Sequence, residues 1–120
     1  MPRVLIVEDD INICQLVAIN LSKRGYEMLE AQTVQDGLDL LKKYNPDMLI
    51  LDIRMPSMSG WEMLRFIDSG SELTKLPVIT ITASVLDDRD AYPYPNIVAR
   101  LIKPFDIPKL LDVTRACIGL

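Results

Sequence analysis

Met48-Leu49-Ile50-Leu51 is an unbroken apolar run that ends in a carboxylate, Asp52. A strand with one face in water alternates apolar and polar residues, so a run without alternation must be covered on both faces. That requirement narrows the fold to a sheet held between two layers of helices. Pro56 and Gly60 close the segment as turn formers. Asp52 does not serve packing, because a bare carboxylate at the mouth of a buried strand costs several kcal/mol unless a cation or water meets it. It is either a site residue, at the strand end where open α/β sheets carry ligands, or a cap for the loop that follows.

The rest of the chain supplies the layers. Arg3-Val4-Leu5-Ile6-Val7 is another apolar run and stops at Glu8-Asp9-Asp10. From Ile11 the period becomes helical, with Ile13, Leu16, Val17, Asn20 and Leu21 on one stripe and Gly25 as C-cap. Residues 26–31 read as a more polar strand at a sheet edge. Thr33 caps a helix bearing Val34, Leu38 and Leu41 that ends near Asn45-Pro46. Ser57 or Ser59 caps the helix that starts at Gly60, turns Trp61, Leu64 and Ile67 inward and stops at Gly70. Residues 77–82 form a fourth strand, with Pro77 acceptable only at its beginning. Residues 97–102 form a fifth, ending at Lys103-Pro104. Asp106 caps a last helix with Ile107, Leu110, Leu111, Thr114 and Cys117 or Ile118 inward. Strands alternating with helices imply right-handed crossovers and a doubly wound, five-stranded parallel α/β sheet in one domain, residues 1–120.

Charge and composition remove several function classes. The formal charge is −4 with no block of one sign, which lacks the basic face of a nucleic-acid binder. No apolar run is long enough to span a bilayer and Met1-Pro2-Arg3 has no signal-peptide layout, so cytoplasmic residence is expected. The chain has no His, which excludes His general bases and most zinc sites. A dinucleotide enzyme would need G-x-G-x-x-G after the first strand. A Mg²⁺-dependent phosphatase with an Asp nucleophile would want a second Asp where Arg54 stands. Cys14 and Cys117 read as buried, reduced thiols.

Parallel strands all end at one edge, and that edge gathers Glu8, Asp9, Asp52, Thr82 and Lys103. Five polar residues of complementary type do not follow from packing. The segments that carry them, Val7-Glu8-Asp9-Asp10, Leu51-Asp52-Ile53-Arg54-Met55-Pro56 with Gly60, Ile81-Thr82-Ala83 and Lys103-Pro104-Phe105, resemble the four signature segments of response-regulator receiver domains, in order and over nearly the whole chain. The resemblance implies a flavodoxin-like sheet of order 2-1-3-4-5 and a part in two-component signalling. In that role Asp52 takes a phosphoryl group from a histidine kinase or phosphotransfer protein, with Mg²⁺ as cofactor, and the event is relayed to a downstream protein as a conformational change. By the same resemblance Glu8 and Asp9 are the acidic pair, Thr82 the switch hydroxyl, Lys103 the motif lysine, and the Lys103-Pro104 bond cis. Such a protein catalyses its own phosphorylation and dephosphorylation without turning over an external substrate.

Elementary chemistry agrees with these roles. Three carboxylates in one place repel one another, and a hard divalent cation relieves the repulsion. Asp9 and Asp52 are expected as direct ligands, with the Arg54 backbone carbonyl, and Glu8 mainly through water. The Asp52 carboxylate then attacks phosphorus in line, while the cation and the Lys103 ammonium offset charge on the phosphoryl oxygens. By the same resemblance Arg54 and Ser84, two places beyond Asp52 and Thr82, line the approach for attacking water and tune phosphate lifetime.

Residues 84–96 depart from the family pattern. Pro93 and Pro95 forbid helix continuation, so a short helix over about 84–91, or none, is expected before an extended loop. Arg100 stands where the family carries an aromatic switch residue. Either Tyr92 or Tyr94 takes over, or Arg100 pairs with Asp87, Asp88 or Asp90, or the output is not gated by phosphorylation. The last option is the rival reading, a pseudo-receiver interaction module. A weak homodimer through the 84–91 helix, the fifth strand and the last helix is a further expectation.

Overall fold

The computed structural model describes residues 1–55, 59–69, 75–83 and 94–120. Along the chain it runs β1 (Arg3–Val7), α1 (Ile11–Ser22), β2 (Glu27–Ala31), α2 (Val34–Tyr44), β3 (Met48–Asp52), α3 (Gly60–Ser69), β4 (Val78–Thr82), β5 (Ile97–Ile102) and α4 (Ile107–Ile118). The five strands are all parallel and lie in the order β2-β1-β3-β4-β5. This is the expected doubly wound, flavodoxin-like sheet, with the polar strand β2 at one edge. The expected helix over 84–91, its loop, and the readings placed on Ser57, Gly70, Ser84, Asp87, Asp88, Asp90 and Tyr92 lie outside the described residues.

The pleat sorts the apolar residues into two cores. Leu5, Val7, Leu49, Leu51 and Val78 face the layer made by α2 and α3, where they meet Val34, Leu41, Met63, Leu64 and Ile67. Val4, Ile6, Met48, Ile50, Ile79 and Ile81 face the other layer and meet Cys14, Val17 and Leu21 of α1 and Leu110 of α4. Every residue of β3 and β4 is buried, and each such Val, Leu or Ile is worth roughly 1.5–3 kcal/mol of transfer free energy. Apolar runs without alternation thus give the central strands, as covered faces demand.

Helix ends follow local chemistry. The Asp10 carboxylate accepts the N–H groups of Asn12 and Ile13 at the start of α1, and Thr33 Oγ1 accepts that of Asp36 at the start of α2. Ser59 Oγ accepts the N–H of Trp61 as α3 begins. Gly25 sits past the end of α1 with φ +97°, where the chain turns into β2 through a conformation that a Cβ would strain. Two expectations need correction. Leu16 is 49% exposed; the buried stripe of α1 is Cys14, Val17, Ala18 and Leu21, rotated because small Ala18 and the thiol let the helix approach the sheet. Asp106 occupies the cap position of α4, but its side chain accepts no N–H there.

Gly60 ties α3 to the end of β3. A Cβ on it would lie 2.6 Å from the Asp52 carbonyl oxygen and 2.9 Å from Ile53 Cα. Helix propensity favours Gly60→Ala by about 1 kcal/mol, but overpacking against backbone costs about 1–3 kcal/mol. Gly60→Ala should therefore lower the urea midpoint by the equivalent of up to about 2 kcal/mol. A higher midpoint would mean that the strand end yields freely.

Candidate phosphoacceptor and metal site

Strand register builds the site. Ile6 lies opposite Ile50, so Glu8 and Asp52, two residues further along, project from neighbouring strands on the same side of the sheet. Asp52 lies opposite Ile81, and Ile81 opposite Leu101. Lys103, two beyond Leu101, shares that side, and its long stem reaches back over the end of β4. Its ammonium lies 2.5 Å from Glu8 Oε1 and 3.2 Å from Asp52 Oδ2. The peptide bond from Lys103 to Pro104 is cis, and the Lys103 N–H donates to the Thr82 carbonyl at 2.8 Å.

Burial distinguishes the three acids. Glu8 is wholly buried and Asp52 is 1% exposed, whereas Asp9 is open to solvent. A carboxylate oxygen from each nevertheless falls within 4.8 Å of the others. The Arg54 N–H donates to Asp52 Oδ1 at 3.0 Å, which holds that side chain across the strand end and places the Arg54 backbone at the same spot. Thr82 is buried at the end of β4, on the same edge. The structure therefore brings Glu8, Asp9, Asp52, Arg54, Thr82 and Lys103 to one edge, and the first three with Lys103 into a single cluster. Ser84 lies outside the described residues.

Burial pushes the Glu8 carboxyl up to about 8, the neighbouring Asp52 adds to the rise, and the Lys103 ammonium opposes it. Burial pulls Lys103 down, yet its contacts with Glu8 and Asp52 outweigh this and leave it raised. The cluster thus holds more negative charge than one ammonium neutralises. Hard oxygen donors with that excess suit Mg²⁺ or another hard divalent cation.

The Glu8 shift has a sign that can be measured. Between its ordinary value of 4.5 and about 8 the folded protein keeps a proton that the unfolded chain has lost. The Glu8 contribution to stability is therefore full below 4.5 and drains away as pH rises to 8. In metal-free protein the Glu8→Gln form should show a flatter fall of urea midpoint over that window than the wild type. Equal slopes would show Glu8 to be ionised in the fold.

Two features have no counterpart in the sequence pattern. An apolar cavity of about 300 Å³ beside Lys103 is lined by Ile13, Leu16, Pro104 and Phe105. Trp61 of α3 stacks on Tyr94, with ring centroids 5.8 Å apart and planes at 29°. Arg100 points outward and is exposed. Cys14 is buried, with burial and Glu30 pushing its thiol up to about 12, so it stays protonated. Cys117 is free and only half-buried. Among the described residues no helix is long and apolar enough to cross a membrane.

Comparison with known proteins places this geometry. The family model for the response regulator receiver domain matches residues 4–115. The polar-differentiation response regulator DivK of Brucella anthropi is 29% identical over 99% of this chain and 98% of its own length. The chemotaxis response regulator CheY4 of Vibrio cholerae superposes with a TM-score of 0.87 at 28% identity, covering 98% of this chain and 99% of that one. The response regulator TrrA of Thermotoga maritima, solved in complex with Mg²⁺ and beryllofluoride, gives a TM-score of 0.84 at 27% identity, over 98% of this chain and all of that one. Matched by that family model over residues 4–115 and sharing the fold of these structures, this chain belongs to the response-regulator receiver domains.

Proposed function

We propose that this receiver domain accepts a phosphoryl group on Asp52 from a phosphohistidine donor, with Mg²⁺ bound beside it. The observation that carries the reading is the convergence of Glu8, Asp9 and Asp52 on one point, with the Lys103 ammonium between the two buried acids. Asp9, Asp52 and the Arg54 backbone carbonyl would hold the cation, and Glu8 would act through water. The bound cation would screen the phosphoryl oxygens and lower the barrier to attack by a carboxylate.

The transfer forms a bond between an Asp52 oxygen and phosphorus while the donor's P–N bond breaks, its electron pair staying on the imidazole nitrogen. Arg54 N–H and Lys103 fix the Asp52 carboxylate before attack, so it loses little entropy at the barrier. Lys103, freed to turn from Glu8 toward the incoming group, stabilises charge on the phosphoryl oxygens. Thr82, at the same edge, offers a hydroxyl to the new phosphate, which draws in the loop after β4. The apolar cavity flanking Lys103 supports a protein donor, because it supplies contact surface next to the reacting atoms.

Incubation with Mg²⁺ and a small phosphodonor such as acetyl phosphate should add one phosphoryl group to the intact mass, and chelation of the metal should prevent it. No adduct under either condition would favour the rival reading, in which the domain binds partners without phosphorylation.

A further inference from the structure

Arg100 occupies the β5 position where an aromatic is expected, so a route from Asp52 to the rest of the surface must run through other residues. The contacts of α3 supply one. Gly60 rests against the Asp52 carbonyl oxygen and Ile53 Cα closely enough to leave no space for a Cβ, and its N–H donates to the Ile53 carbonyl at 2.9 Å. The backbone that bears Asp52 therefore cannot shift without shifting the first residue of α3. Trp61 comes next, is 3% exposed and cannot move independently of its packing. Its ring lies on that of Tyr94, across the α3 face of the sheet and 33 positions away in sequence.

Tyr94 in turn controls the entry to β5. Its carbonyl accepts the Ile97 N–H at 3.0 Å, and two residues on, the Asn96 carbonyl accepts the Val78 N–H at 2.8 Å. Buried Asn96 also donates from Nδ2 to the Leu76 carbonyl at 3.2 Å. The stack thus bears on the starts of β4 and β5, the strands that lead to Thr82 and Lys103. A displacement at Asp52 has a continuous path of close contacts, Asp52–Gly60–Trp61–Tyr94, to a partly exposed ring at the opposite end of β5.

We infer that the Trp61–Tyr94 stack reports the state of Asp52 to the start of β5, with Tyr94 as the aromatic reporter that Arg100 cannot be. The inference rests on the phosphoacceptor reading, and the test separates the two. Beryllofluoride with Mg²⁺ serves as the probe, its binding followed by fluorine NMR of the bound species. The Trp61 indole N–H, the single indole in the chain, and the Ile97 amide are followed by proton–nitrogen NMR.

On binding, both resonances should shift in the wild type. In Tyr94→Leu, which keeps an apolar contact without the ring, the Ile97 shift should fall to less than about half, and reciprocity should change beryllofluoride affinity about fivefold. Trp61→Phe, which keeps an aromatic partner, should retain most of the Ile97 shift. Bound beryllofluoride with Trp61 and Ile97 unmoved, or an Ile97 shift of full size in Tyr94→Leu, would overturn the relay and leave the acceptor site standing. No bound beryllofluoride at all would overturn the acceptor reading and the relay with it.

Discussion

The Asp52→Asn form should fold normally and take up no phosphoryl group from any donor. The amide is nearly the shape of the carboxylate, so its oxygen still accepts the Arg54 N–H that Asp52 Oδ1 accepts at 3.0 Å. What disappears is the nucleophile, since an amide oxygen forms no stable phosphoryl ester, and one of the converging charges. With Asp52 neutral, its push on the Glu8 carboxyl goes and that group moves back down toward its ordinary range. Loss of a direct carboxylate should weaken Mg²⁺ binding by about tenfold or more, on the scale of one charge at close range in a partly buried site. Circular dichroism melting and intact mass read the two halves separately. Full adduct formation in the variant would move the chemistry to another residue.

Lys103→Met should split two properties that a damaged fold would lose together. In the metal-free protein Lys103 is the cation that holds Glu8 and Asp52, at 2.5 and 3.2 Å. Its removal leaves the pair unscreened, so a divalent cation meets less repulsion and Mg²⁺ should bind more tightly. The phosphorylation rate should nevertheless drop by about 100-fold, because the charge that meets the phosphoryl oxygens has gone. Tighter metal binding with slower phosphorylation is the signature expected. A parallel loss of both would assign Lys103 a structural part only.

Most of this could be read from the residues because buried strands announce themselves. Met48 to Asp52 and Val78 to Thr82 have no alternation, and both came out fully buried in the middle of the sheet. Once strands are parallel, their last residues share an edge, so Glu8, Asp52 and Lys103 follow from register without knowledge of the loops. Rotation about a helix axis is harder to read. Leu16 and Ala18 differ by two places on α1, and hydrophobicity favours Leu16 although only Ala18 is small enough to lie against the sheet. The Asp106 carboxylate had the right position for a cap but not the orientation, which depends on how the chain leaves Pro104. Nor does any period link Trp61 to Tyr94. Their contact joins α3 to the segment that leads into β5, a matter of tertiary geometry.

The charge state of Glu8 was also hidden. An acid beside two others reads as a metal ligand, but its complete burial and consequent rise come from the packed layers of α1 and α4 over β1. That rise matters for function, because a cation must compete with a proton as well as with Lys103 for the same oxygens.

In the proposed reaction one carboxylate, that of Asp52 at the end of β3, takes the phosphoryl group. Borohydride reduces an acyl phosphate to the alcohol and leaves a free carboxylate intact, so an aspartyl phosphate becomes homoserine at the residue that carried it. Protein treated with Mg²⁺ and acetyl phosphate, reduced and sequenced as peptides by mass spectrometry should carry homoserine at position 52, with Asp9, Asp10 and Glu8 unchanged. Homoserine at another aspartate, the corresponding longer alcohol at Glu8, or no reduced residue while the intact mass shows an adduct would contradict phosphorylation of Asp52.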